Sequence, residues 1–142
     1  MKMLLSIFTL LTIVACDRYQ VTLNERQIYT PRILFTNYQI ADPALHHCVA
    51  QAIIDQRIER GEDLLQLNCS YAGIANLAGL TRFSKLEIIN LSNNALTDVK
   101  PLMFFGGLKR LDLRENRAVP CKDLLSLEAL LVRELLRPQT CL

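Results

Sequence analysis

The 142-residue sequence is poor in the residues that most enzymes and nucleic-acid-binding proteins depend on. It has no tryptophan, two histidines and a formal net charge of only +2. A near-neutral chain lacks the basic stripe that a nucleic-acid partner requires. Aromatic residues make up 6% of the sequence, which argues against a stacking platform for bases or sugars. We therefore expect no nucleic-acid partner.

Catalytic motifs are also missing. The sequence has no Gly-x-Ser-x-Gly, no phosphate-binding loop and no His-Glu-x-x-His. His46 and His47 precede Cys48 on a predicted helix, and adjacent helical residues point about 100° apart. These three side chains therefore cannot converge on one metal ion, and solvated helix positions are the better interpretation. We expect a protein that is not an enzyme and that needs no cofactor and no metal.

No apolar run is long enough to cross a membrane. The apolar stretch Leu4–Val14 falls short of the roughly 20 residues that a spanning helix needs. It has the length of a signal-peptide core. The residues Ile13, Val14, Ala15 and Cys16 resemble a bacterial lipobox. The resemblance implies that residues 1–15 are a lipoprotein signal peptide and that Cys16 carries the lipid, although an ordinary secretory signal is the alternative.

The resemblance also implies a location. In enteric-type bacteria, lipoproteins with aspartate after the lipidated cysteine resemble those held at the inner membrane, and Asp17 occupies that position. We expect a monomer anchored by lipid at the bacterial envelope and facing the periplasm. Residues 16–41 are expected to form a tether or N-terminal extension. Their alternating apolar residues fit either two short strands or an extended linker, with the second half docked on the following domain.

One sequence pattern recurs three times at a spacing of 22 residues. It begins at Leu64, Leu86 and Leu108, and each copy has a further pair of apolar or cysteine residues two positions apart. A fixed period of this kind indicates a stacked-repeat fold. The spacing and pattern resemble the leucine-rich repeat, and the stretch Leu96–Leu102 is similar to the internalin-type repeats of bacteria.

The resemblance implies an α/β fold, a short solenoid of about three repeats with parallel strands and helical caps. Each Leu-x-Leu segment should be a short strand whose alternate side chains point inward. Asn94 and Asn116 should hydrogen-bond backbone groups at the turns after two strands. The corresponding position of the first copy is Ala72, so its turn must be satisfied differently. We expect the repeat domain to span residues 42–142, with repeats at 62–119.

Both ends of the array need caps, because the apolar face of a terminal repeat would otherwise stay wet. Residues 42–61 predict the N-terminal cap helix, with Asp42 as its N-cap and Gly61 at its end. Residues 120–142 predict the C-terminal cap, with a helix that stops near Leu131 and an extended return. Both segments resemble caps of exported bacterial repeat proteins. Phe104 and Phe105 are expected to fill the core.

Cysteine usage supports export to an oxidising compartment. Five cysteines is an odd number, but Cys16 is assigned to lipid, and four remain. Because the two ends of a solenoid do not touch, we expect disulfides within each end, joining Cys48 to Cys69 and Cys121 to Cys141. A zinc site is the rival interpretation, and the sequence has no Cys-x-x-Cys spacing to support it.

The remaining feature with functional potential is the outward face of the predicted strands. Solenoid proteins use such concave faces for binding. We expect a non-enzymatic interaction module that binds a protein partner there, and the alternative is a purely structural envelope lipoprotein with no ligand on this face. The candidate residues lie in three rows: Gln66, Ile88 and Arg110, then Asn68, Asn90 and Asp112, then Ser70, Ser92 and Arg114.

Overall fold

The computed structural model describes residues 21–23, 26–29, 33–130 and 134–141. The chain forms two compact units, Met1–Ile33 and Leu34–Leu142. In the first unit, strands β1 (Val21–Leu23) and β2 (Arg26–Tyr29) pair in antiparallel orientation. The predicted signal peptide and Cys16 lie outside the described residues.

The second unit is an α/β structure built on a four-stranded parallel sheet. Its strands lie side by side in chain order: β3 (Gln66–Asn68), β4 (Ile88–Asn90), β5 (Arg110–Asp112) and β6 (Glu134–Leu136). The sequence predicted three of them. The fourth strand β6 pairs Leu135 with Leu111, so the return of the chain after the last helix extends the sheet.

The middle residue of each strand points into the core. Leu67, Ile89 and Leu111 are register partners and are all buried, as the Leu-x-Leu alternation predicts. The last apolar position of the 22-residue pattern is occupied differently in its second and third copies. Leu96 is buried, whereas Ala118 is exposed and Val119 takes the buried place. Valine is larger than alanine, so Val119 fills core space that an inward-pointing Ala118 would leave empty.

A left-handed residue follows each of the strands β3, β4 and β5. Tyr71, Asn93 and Glu115 have φ angles of 56°, 57° and 59°, at the same 22-residue spacing as the strands. Only asparagine favours this region among the three. The turn is therefore imposed by the surrounding hydrogen bonds, because tyrosine and glutamate have no local preference for it.

Asn94 and Asn116 supply those hydrogen bonds, as the sequence predicted. Asn94 Nδ2 donates to the carbonyl oxygens of Leu91 and of Cys69, each at 2.8 Å. Asn116 Nδ2 likewise donates to the carbonyl of Leu91, at 2.8 Å. Each side chain thus joins its own turn to the preceding one. At the turn that contains Ala72, the Ile74 N–H donates to Asn94 Oδ1 at 2.9 Å. Asn94 therefore supplies the side-chain acceptor that Ala72 lacks.

The first helix is shorter than predicted. Helix α1 spans Pro43–Gln56, and its C-cap Arg57 adopts a left-handed conformation with φ of 55°. The predicted end at Gly61 is therefore wrong. Gly61 is buried at the start of a 3-10 turn, where an added Cβ would lie 3.0 Å from the ring of Phe35. Gly61 is needed for close packing rather than for ending the helix.

Asp42 caps α1 and also connects it to the loop that follows β3. Its Oδ1 accepts the backbone N–H groups of Ala44 and Leu45 at 2.9 and 3.0 Å. Its Oδ2 accepts those of Ala75 and Asn76, each at 2.9 Å. Burial raises the pKa of this carboxyl, but the four hydrogen bonds outweigh burial and hold the pKa below its ordinary value.

Residues 34–40 form an irregular segment without strands, which packs against the rest of the second unit. Phe35 packs edge-on against Phe83 with ring centroids 5.8 Å apart, and its N–H donates to the Ile58 carbonyl. Gly79 permits the close approach of Gln39, since it has φ of 92° and an added Cβ would lie 2.1 Å from the Gln39 carbonyl oxygen. The docked segment therefore belongs to the same compact unit as the sheet.

The C-terminal part begins with helix α2 (Cys121–Leu130), which packs against the 3-10 helix Lys100–Phe104. Phe105 is buried as predicted, but Phe104 is 77% exposed and does not fill the core. Both expected disulfides are present. Cys48 is joined to Cys69 and Cys121 to Cys141, with Cα separations of 5.8 and 5.3 Å.

Candidate functional site

The outward face of the sheet carries a groove of about 690 Å³. It is open to solvent, and strands β3, β4 and β5 form its floor. The half-buried side chain of Ile88 lies on the middle strand, with polar groups around it. The residues that line the groove are Gln56, Gln66, Leu67, Asn68, Ile88, Ile89, Asn90, Arg110, Asp112 and Arg114.

Helix α1 contributes one residue to this groove that the sequence analysis missed. Gln56 Nε2 donates to the carbonyl of Gln66 at 3.0 Å, which joins the helix end to the first strand. β6 also adds Glu134 and Leu136 to the outward rows, beside Arg110 and Asp112. The middle residue Leu135 matches the other strands, but Leu136 replaces their asparagine or aspartate and the strand departs from the 22-residue spacing, which concealed it.

The middle row has a shared local structure. Asn68 Oδ1 accepts the Ser70 N–H at 3.3 Å, and Asn90 Oδ1 accepts the Ser92 N–H at 3.0 Å. Asp112 Oδ1 accepts the N–H of Arg114 at 3.1 Å in the same way. Each of these side chains therefore forms an Asx turn that ends its strand. One side-chain oxygen per residue is committed to the fold.

Asp112 is not the exposed residue that the sequence predicted. It is only 5% exposed, because Arg114 and the neighbouring strand cover it. Arg114 Nη2 donates to Asp112 Oδ2 at 2.6 Å, and Nε contacts both carboxylate oxygens. Burial raises the pKa of the Asp112 carboxyl, but the hydrogen bonds and charge of Arg114 prevail and lower it. The same pairing raises the pKa of Arg114.

Ser92 is also less exposed than the sequence predicted. It is 6% exposed and lies within the stacked turns rather than on an open face. Ser70, at the end of the sheet, is half-buried. The first row is open: Gln66 and Arg110 are exposed, and Arg110 Nε lies 3.1 Å from Glu134 Oε2. Seven of the nine predicted residues therefore line the groove, whereas Ser70 and Ser92 do not.

The described residues include no cluster of three or more histidine, cysteine, aspartate or glutamate side chains that could hold a metal ion. His46 and His47 are exposed on α1, and the ring of His46 lies 5.5 Å from that of Tyr38. Within the described ranges, no helix is long and apolar enough to cross a membrane. What the groove offers chemically is a set of hydrogen-bonding and apolar contacts.

No protein-family model matches this chain, and no curated protein does either.

Proposed function

We propose that this chain is a non-enzymatic, lipid-anchored interaction module of a bacterial envelope, which binds a protein partner on the outward face of its sheet. The finer fold belongs to this proposal: a short leucine-rich repeat solenoid with disulfide-linked caps. Its support is the 22-residue recurrence of the strands, of their Asx turns and of the left-handed residues that follow. The lipid anchor rests on Cys16 and its preceding sequence alone.

The groove is the observation that carries the binding proposal. It combines an apolar centre at Ile88 with a polar margin, which is the usual arrangement of a protein interface. The face is small, because parallel strands lie about 4.8 Å apart. A standard interface buries about 800 Å² on each partner. The partner is therefore expected to contact the groove with a short segment rather than with a broad surface.

The structural alternative, an envelope lipoprotein with no ligand on this face, has its own support. The charged side chains of the face are paired with each other, Arg114 with Asp112 and Arg110 with Glu134. Paired charges steer a partner less than free ones. Replacing Arg110 and Arg114 together should therefore weaken partner binding less than it would if the two arginines had no carboxylate partners.

The test is site-specific photo-crosslinking in intact bacterial envelopes. A photoreactive residue at position 88 should yield one discrete crosslinked product, whereas the same residue at the exposed position 97 should not. Equal crosslinking from both positions, or none from position 88, would favour the structural alternative. Anchoring is tested separately, since Cys16→Ala should abolish fatty-acid labelling, and retained labelling would refute the lipid assignment.

A further inference from the structure

The Asx turns determine which way the asparagine amides of the groove are oriented. A backbone N–H can be accepted only by oxygen, so Oδ1 of Asn68 and Asn90 must face the backbone N–H of Ser70 and Ser92. The Nδ2 group of each residue is then directed away from its own turn. Both side chains line the groove, and neither Nδ2 has a hydrogen-bond partner among the described residues.

These two amides are neighbours. Asn68 and Asn90 are register partners on adjacent strands, which lie about 4.8 Å apart. Two donors at that separation can share one carboxylate, with about 2.9 Å from each nitrogen to an oxygen. The third member of the row, Asp112, cannot extend this pair of donors because its carboxylate carries no N–H, and its Oδ2 accepts from Arg114 Nη2. The free amide donors of this row are therefore those of Asn68 and Asn90.

The hydrogen-bond donors of the lining favour the same kind of ligand. Its two arginines are each paired with a carboxylate, Arg110 with Glu134 and Arg114 with Asp112. Arg110 contacts Glu134 through Nε, and Arg114 contacts Asp112 through Nε and Nη2, so each guanidinium retains further N–H donors. The lining thus presents an excess of hydrogen-bond donors beside the apolar side chain of Ile88.

We propose that the groove binds an extended acidic peptide segment. One carboxylate accepts hydrogen bonds from Asn68 Nδ2 and Asn90 Nδ2, and a neighbouring aliphatic side chain of the peptide packs on Ile88. This proposal rests on the proposed function of the same face and specifies its partner. A peptide is favoured over a glycan because no aromatic ring is among the residues that line the groove.

The chain itself suggests the variant that tests this proposal. Asp112 makes the same Asx turn as the two asparagines, so Asn68→Asp and Asn90→Asp should keep their turns. Each change replaces an outward amide donor by an anionic oxygen. A second double variant, Asn68→Ser with Asn90→Ser, keeps an oxygen that can accept the turn N–H but removes the amide donors without adding charge. Comparing the two double variants distinguishes the effect of losing the amide donors from the repulsion that the added carboxylates cause.

The probe is an array of synthetic eight-residue peptides with one glutamate between leucine and valine in a glycine-serine background, beside matched peptides with glutamine. Binding is measured to the full chain in detergent. The glutamate peptides should bind at least about tenfold more tightly than the matched glutamine peptides, since hydrogen bonds to charged groups contribute about 1.5–3 kcal/mol. The Asp double variant should lose this binding, and the Ser double variant should lose the preference for glutamate. Circular dichroism should show both variants folded.

Equal binding of glutamate and glutamine peptides, no peptide binding, or unchanged binding by the folded double variants would overturn the proposal. Binding of a glycan array in place of peptides would overturn it in favour of a carbohydrate ligand. Failure of the parent proposal is distinguishable. A partner crosslinked from position 88 and unaffected by the asparagine variants refutes only the peptide chemistry, whereas glutamate-dependent peptide binding without any crosslink in envelopes refutes only the envelope role.

Discussion

The connection between Asp42 and two separate segments predicts a graded loss of stability. Asp42→Ala removes all four backbone hydrogen bonds, two at the start of α1 and two at Ala75 and Asn76. Loss of an N-cap costs about 1 kcal/mol. The other pair should contribute about 1–2 kcal/mol, near the lower end for charged hydrogen bonds, because Ala75 and Asn76 are exposed and their N–H groups can bind water. The total is about 2–3 kcal/mol.

Asp42→Asn tests the hydrogen bonds to Ala75 and Asn76 separately from the helix cap. Asparagine caps helices about as well as aspartate, so Oδ1 should keep its bonds to Ala44 and Leu45. Its amide nitrogen would face the N–H groups of Ala75 and Asn76, and two donors cannot bond. We therefore expect a loss of about 1–2 kcal/mol, measured by urea unfolding with both disulfides intact. Asp98→Asn is the control, since its local bond to Lys100 is exposed and should tolerate the change.

The pH dependence provides a second readout. Because the pKa of Asp42 is lowered in the folded state, its contribution is present above the unfolded pKa of about 3.9 and is lost as pH falls below it. The difference in unfolding free energy between the wild type and Asp42→Asn should be constant near neutral pH and shrink in acid. An Asn variant as stable as the wild type, or a difference independent of pH, would refute the bridging role.

Three further substitutions test other contacts of the fold. Gly79→Ala should cost about 2–5 kcal/mol in urea unfolding, because a left-handed backbone and a collision with the Gln39 carbonyl add together. Leu111→Ala should cost about 2–5 kcal/mol by the same measurement, since Leu111 is fully buried on β5. Replacing Cys121 and Cys141 by serine should cost about 3 kcal/mol, as expected for opening a loop of this length, and should lower the thermal midpoint.

Matched controls sharpen two of these tests. Gly73→Ala has a left-handed backbone as well, with φ of 78°, but no atom lies within 4 Å of the added Cβ. It should therefore cost only about 1–2 kcal/mol, and equal effects at the two glycines would contradict docking of residues 34–40. Arg110→Ser, on the exposed side of the strand that contains Leu111, should change stability by about 0.5 kcal/mol. A tolerated Leu111→Ala would contradict the strand register.

The sequence alone determined the features that depend on local spacing. Alternation placed Leu67, Ile89 and Leu111 in the core, because side chains of a strand point alternately to its two faces. The helix N-cap at Asp42 was also readable, since it involves residues close along the chain. The two cysteine pairings followed from the expectation that opposite ends of a stacked-repeat array do not touch. The outward rows followed from the same period, so the location of the groove could be predicted.

Tertiary structure decided what depends on distant neighbours. Asp42 Oδ2 meets Ala75 and Asn76 only after α1 packs on the sheet, and no local pattern indicates this contact. Asp112 became buried because β6 joined the sheet beside it, at a spacing that differs from the other strands. Glu115 adopts a left-handed turn against its own preference, because the stacked turns share hydrogen bonds that one turn alone would lack.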